Sequence, residues 1–152
     1  MTKKFPFKAA LIIGVWAHLL AGAALREVVV SHTDDQGILQ LYRMKEDGTG
    51  SRQLTFSKTG CWMPSCSSDG KKLVYVEQVG HAMALRLADL NGGKVRTLVG
   101  EGMNILPSWL PDSEHLIWMK VKPQPKQDPA RNSQIHIMNC LLYTSPSPRD
   151  RG

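Results

Sequence analysis

Residues 64–76 read PSCSSDGKKLVYV and residues 107–119 read PSWLPDSEHLIWM, one pattern written twice at an offset of 43. Each copy opens on Pro-Ser, passes through a polar turn and closes on four apolar residues. Leu73-Val74-Tyr75-Val76 and Leu116-Ile117-Trp118-Met119 are rich in β-branched and aromatic residues and too short for a core helix. The turns before them are Ser68-Asp69-Gly70-Lys71 and Pro111-Asp112-Ser113-Glu114. An Asp accepts hydrogen bonds from nearby turn amides, and Gly70 supplies the positive φ that a hairpin turn often needs. Each copy therefore predicts strand, turn, strand.

The pattern extends on both sides. LYRMKEDGTGSRQLT at 41–55 matches LRLADLNGGKVRTL at 85–98, with Gly48 on Gly92 and Leu54 on Leu98 at an offset of 44. QIHIMN at 134–139 starts a further copy, matching Gln40 to Lys45. Short strands and turns recurring every 40–45 residues are the signature of β-propeller blades. MALRLADL at 83–90 is ambiguous from its pattern alone, and its place in the repeat makes it a strand. The expected fold is all-β: an incomplete propeller over 25–139, about two and a half blades of four-stranded antiparallel sheet, with repeats near 28–60, 61–104 and 105–139.

The order P-S-W-x-P-D-x-x-x-L, a strand, I-x-x-M-N or L-Y-x-M, then D-G-T-G-x-x-Q-L-T resembles the TolB-type propeller repeat over residues 28–139. It is not the WD repeat, since no Gly-His and Trp-Asp pair recurs. Cys66 stands where the repeat usually has Trp, and Ser113 where it usually has the turn Gly. The resemblance implies a propeller of several blades, usually exported in bacteria and frequently a platform for protein partners.

Both ends read differently. Lys3, Lys4 and Lys8 precede the apolar run ALIIGVWAHLL, and small residues Ala21-Gly22-Ala23-Ala24 follow. A basic head, short apolar core and small-residue exit predict a signal peptide or signal helix over 1–24, cleaved after Ala23 or Ala24. Uncleaved, it would be the one membrane attachment. CLLYTSPSPRD at 140–150 resembles translated sequencing adapter, so 140–152 is expected to be a non-native tail on an N-terminal fragment. Aligning Met138 with Met44 puts Leu141-Leu142 where the repeat wants an Asp-Gly turn. The opening strand of the first blade would fall near 20–22, inside the signal segment. Residues 25–139 alone are therefore expected to aggregate or to unfold without cooperativity.

Charge excludes one class of partner. The chain carries a formal net charge of +6. Residues 25–139 hold 14 basic and 12 acidic side chains, a net of only +2. The basic excess belongs to the ends, so no nucleic-acid partner is expected.

Candidate site residues each carry an architectural reading. Asp69 and Asp112 recur at one offset, which suits turns better than a catalytic pair. Trp62, Trp109 and Trp118 are expected between blades. His32, His81, His115 and His136 show no metal-ligand spacing. Cys61 and Cys66 sit too far apart along an extended strand to bridge. The proline-rich stretch Lys122 to Arg131 lengthens its repeat by seven residues and is the most singular loop. No catalytic, cofactor-binding or metal-binding residue is assigned, and no cofactor is expected. Three functions compete: an exported interaction scaffold for a protein partner, the N-terminal propeller of a prolyl-oligopeptidase or dipeptidyl-peptidase-like hydrolase, and a propeller-type sugar lyase. Oligomeric state is open.

Overall fold

The computed structural model describes residues 26–122 and 133–140, and every described element is a strand. The signal segment, the Leu141-Leu142 site and most of the proline-rich loop lie outside these residues. The strands are β1 (Glu27–Thr33), β2 (Leu39–Lys45), β3 (Arg52–Gln53), β4 (Cys61–Cys66) and β5 (Lys72–Val79), followed by β6 (Ala82–Asp89), β7 (Arg96–Val99), β8 (Met103–Trp109), β9 (His115–Val121) and β10 (Ser133–Asn139). They fold as three successive antiparallel meanders. Blade 1 is β1-β2-β3, blade 2 is β4-β5-β6-β7 and blade 3 is β8-β9-β10.

Why LVYV is continuous rather than alternating is visible in the packing. Successive side chains on a strand point to opposite faces. From β5, Val74 and Val76 join Leu85 and Leu87 of β6 in a core shared with Trp109, Leu116 and Trp118 of blade 3. Leu73 and Tyr75 point the other way, into a core with Val29, Leu41 and Leu54 of blade 1. A blade between two neighbours buries both faces, so both sets of alternate positions must be apolar.

Cross-strand register repeats from blade to blade. Val28–Met44 and Val30–Tyr42 in blade 1 correspond to Leu73–Ala88 and Tyr75–Arg86 in blade 2, and to Leu116–Met138 and Trp118–His136 in blade 3. These pairs form the face turned toward the preceding blade, the leading face. Val74–Leu87 and Val76–Leu85 form the trailing face of blade 2, and Ile117–Ile137 and Met119–Ile135 that of blade 3.

The inner strands carry a repeated irregularity. The β4–β5 register shifts between Trp62 and Ser65, and the β8–β9 register between Ile105 and Ser108. Met63 and Leu106, at the bulges, both take φ 53°. The prolines that follow have no N–H to give a ladder, which is why the ladder breaks there. One feature departs from separate antiparallel blades. A single parallel bridge, Met83 to Met103, joins blades 2 and 3. Gly102, at φ +82°, turns the chain against the start of β6, where its carbonyl accepts the Met83 N–H at 2.9 Å.

Candidate functional site

The turns and loops fall on two rims. One carries the turns between first and second strands and the Gly-rich turns at 46–50 and 90–94. Here the predicted aspartates are found, in turn roles. Asp69 Oδ1 accepts from Ser67 Oγ at 2.6 Å and from the Lys71 N–H at 3.1 Å. Asp112 Oδ1 accepts the Glu114 and His115 N–H groups, both at 2.9 Å, and His115 Nδ1 lies 2.8 Å from its Oδ2. Backbone amides, first that of His115 and then that of Glu114, pull the Asp112 carboxyl down to about 2. The Ser67 hydroxyl likewise lowers Asp69. A carboxylate stabilised in its charged form is a poor proton donor or shuttle at neutral pH.

Sequence reasoning missed what Ser113 does. It takes φ 57°, the conformation Gly70 takes at 69° one blade earlier. Its hydroxyl accepts the Asp69 N–H at 2.9 Å, and its carbonyl accepts Lys72 Nζ at 3.1 Å. The substitution for glycine thus ties the turns of blades 2 and 3 together. Nothing in the sequence marks this, because the partner lies in another repeat.

The tryptophans lie at or beside blade contacts. Trp109 is buried, donating Nε1–H to the Ser65 carbonyl at 3.1 Å, with Lys72 Nζ 5.3 Å from the ring centroid. Trp118 stacks on His136 at 5.1 Å and donates its Nε1–H to Asn104 Oδ1 at 3.1 Å. Trp62 is half-buried against the core of blades 2 and 3. Asn104, fully buried and not anticipated, also donates Nδ2–H to the Met83 and Glu101 carbonyls at 2.9 and 3.0 Å. These bonds satisfy an amide whose burial unpaired would cost about 1–3 kcal/mol.

The four candidate histidines are not brought together. His32 meets Tyr42 edge-on, His81 sits exposed at a hairpin tip, His115 pairs with Asp112, and His136 lies against Trp118. Among the described residues no group of three or more His, Cys, Asp or Glu could hold a metal ion. Cys61 and Cys66 are unbridged, and burial pushes both thiols up to about 11, which keeps them protonated and unreactive. Cys140 is buried, and its N–H donates to the Glu114 carbonyl at 2.8 Å, as Leu90 does to Lys71.

The other rim carries the connections between the second and third strands of each blade. Among the described residues its hairpin connections are 34–38 after β1 and 80–81 after β5. Gln40 fixes the first of them. Its Nε2 donates to the Ser57 carbonyl at 2.6 Å and to Asp34 Oδ2 at 3.2 Å, while its Oε1 accepts from Thr55 Oγ1 and Ser57 N. Beside this anchored network Phe56 is 79% exposed, with Leu39 and Val79 also exposed on the rim.

Comparison with known proteins agrees with this geometry. The described chain overlays a putative TolB from Agrobacterium tumefaciens with a TM-score of 0.64 at 15% identity, over 86% of this chain and 47% of that one. It overlays TolB from Acinetobacter baumannii at a TM-score of 0.59 and 22% identity, over 74% of this chain and 27% of that one. The fold is that of a TolB-type β-propeller. A Pyrococcus horikoshii acylaminoacyl peptidase is also similar, with a TM-score of 0.54 and 18% identity, over 80% of this chain and 19% of that one. An uncharacterized protein of Agrobacterium fabrum is 29% identical over 57% of this chain. The match spans 34% of that relative's length. No family model matches the chain. Among the described residues no helix is long and apolar enough to cross a membrane.

Proposed function

We propose that the chain forms part of an exported, TolB-like β-propeller that acts as a non-catalytic scaffold for a protein partner. The carrying observation is the rim that bears the 34–38 and 80–81 hairpins on a repeated, hydrogen-bonded framework, with Phe56 79% exposed beside them. Large apolar side chains held outward on a rigid scaffold are what protein partners bury. The basic-apolar-small order of residues 1–24 supports export to the periplasm or beyond. Turn hydrogen bonds hold Asp69 and Asp112 in their charged form, and burial holds Cys61 and Cys66 as thiols.

Photo-crosslinking groups placed at positions 56 and 79, and at 71 on the opposite rim, test this in the exporting cell. A discrete protein adduct from 56 and 79 but not from 71 is expected. Equal labelling from both rims, or none, would contradict it. The likeness to a peptidase propeller favours a second reading, in which the propeller screens substrates for a serine hydrolase. A fluorophosphonate probe labelling the native gene product would select that reading.

A further inference from the structure

Met63 of β4 and Leu106 of β8 are equivalent residues of blades 2 and 3, 43 apart in the chain and each followed by a proline. Because the β8–β9 register shifts between Ile105 and Ser108, the Leu106 N–H turns out of its own ladder. It donates instead across the junction, to Met63 Sδ at 3.4 Å. A thioether sulfur is a weak acceptor, so this main-chain donor is only weakly satisfied. Leu106 is 53% exposed and Met63 is half-buried, which puts the contact at a solvent-facing edge of the junction. Met83 and Met138 also pack against the core of blades 2 and 3. Among the described residues, Met63 alone of the methionines has a sulfur that accepts a hydrogen bond.

We propose that Met63 is a site of reversible oxidation to methionine sulfoxide, and that the oxygen it gains tightens the junction between blades 2 and 3. In the step, the Met63 sulfur attacks one oxygen of hydrogen peroxide. An S–O bond forms and the O–O bond breaks, and the other oxygen leaves as water with the proton of the oxygen transferred. The sulfur is oxidised by two electrons and the peroxide is reduced. Oxidation makes the side chain polar, and its unbranched, freely rotating stem can bring the new oxygen to the Leu106 N–H. A weak N–H···S contact becomes an N–H···O bond. At Met83 and Met138 the same oxygen would enter an apolar core, the ordinary and destabilising result of methionine oxidation. The sign of the effect is thus reversed at Met63.

Limited hydrogen peroxide treatment of the full chain, followed by peptide mass mapping and thermal denaturation, tests this. Met63 should gain oxygen before Met83 and Met138, and the treated chain should melt about 2–4 °C above the untreated one. Methionine sulfoxide reductase with a dithiol should restore the original melt. Met63→Leu places at this bulge the residue that blade 3 already carries at φ 53°, and it should lose the rise under the same treatment. Met63→Gln supplies an amide oxygen without oxidant and should show the rise untreated. Where the transition is too broad to place, resistance to limited proteolysis makes the same comparison. Oxygen on Met83 or Met138 while Met63 stays reduced would overturn the inference. So would a chain oxidised at Met63 that melts at or below the untreated one, or a rise that persists in Met63→Leu.

Discussion

β5 and β9 are the same strand of successive blades, and they differ in what covers them. In β5, Leu73, Val74, Tyr75 and Val76 are all buried. In β9, Leu116 and Trp118 are buried while Ile117 and Met119 are only half so. The two sequences are equally apolar, LVYV against LIWM. Apolar sequence is thus written for a blade with two neighbours, and the environment decides how much of it is used. Stability should follow the covering rather than the hydrophobicity.

The largest effect is expected where blade 2 meets blade 1. Gly92 lies at φ +81°, and a Cβ there would come within 2.6 Å of the Leu54 carbonyl oxygen. Gly92→Ala combines a left-handed penalty of about 1–2 kcal/mol with a backbone clash, so a loss of about 3 kcal/mol is expected in urea denaturation. A neutral result would break the described contact between the blades. Next comes the direct comparison of the two strands. Val74→Ala should cost about 2 kcal/mol, and Ile117→Ala about 1 kcal/mol or less although it removes more atoms. Equal costs would mean that blade 3 is covered as blade 2 is.

A smaller, stabilising change is expected in the turn after β6. Lys94 holds φ 50°, where the equivalent Gly50 holds 65°. Lys94→Gly should raise stability by about 0.5–1 kcal/mol, since only an exposed ion pair to Asp89 at 3.7 Å is lost. A destabilised variant would mean that this ion pair outweighs the backbone strain. The smallest effect is expected at Asp112, where the folded carboxyl lies at about 2 against an ordinary 3.8. Because the folded value is the lower one, its stabilisation is present above pH 4 and lost as pH falls toward 2. Asp112→Asn should therefore melt below the wild type at pH 5, with the gap closing by about pH 2. A gap constant across that range would contradict the assignment.

Much of the fold was legible because repetition carries it. The recurrences at 43 and 44 residues located the strands, made MALRLADL a strand against its own ambiguous pattern, and placed Asp69 and Asp112 in turns. What was not legible lies between repeats. Ser113 bonding to Asp69, Asn104 closing on Met83 and Trp118, and the parallel Met83–Met103 bridge all join residues whose relation depends on how blades stack. The bulges were half visible. Pro64 and Pro107 recur in the sequence, but the left-handed Met63 and Leu106 before them follow no residue preference. The outward turn of Phe56 was less legible still, because nothing in the sequence tells which way its loop faces.

The central claim is that one repeat folds as stacked blades, with blade 2 covered on both faces and blade 3, among the described residues, on one. Amide hydrogen exchange tests it directly, comparing peptides from 72–89 with peptides from 115–121 and 133–139. The account predicts that the β5–β6 amides exchange slowest, and that those of β9–β10 exchange at least about tenfold faster through local opening. Equal protection of the two hairpins, or slower exchange in β9–β10, would contradict it.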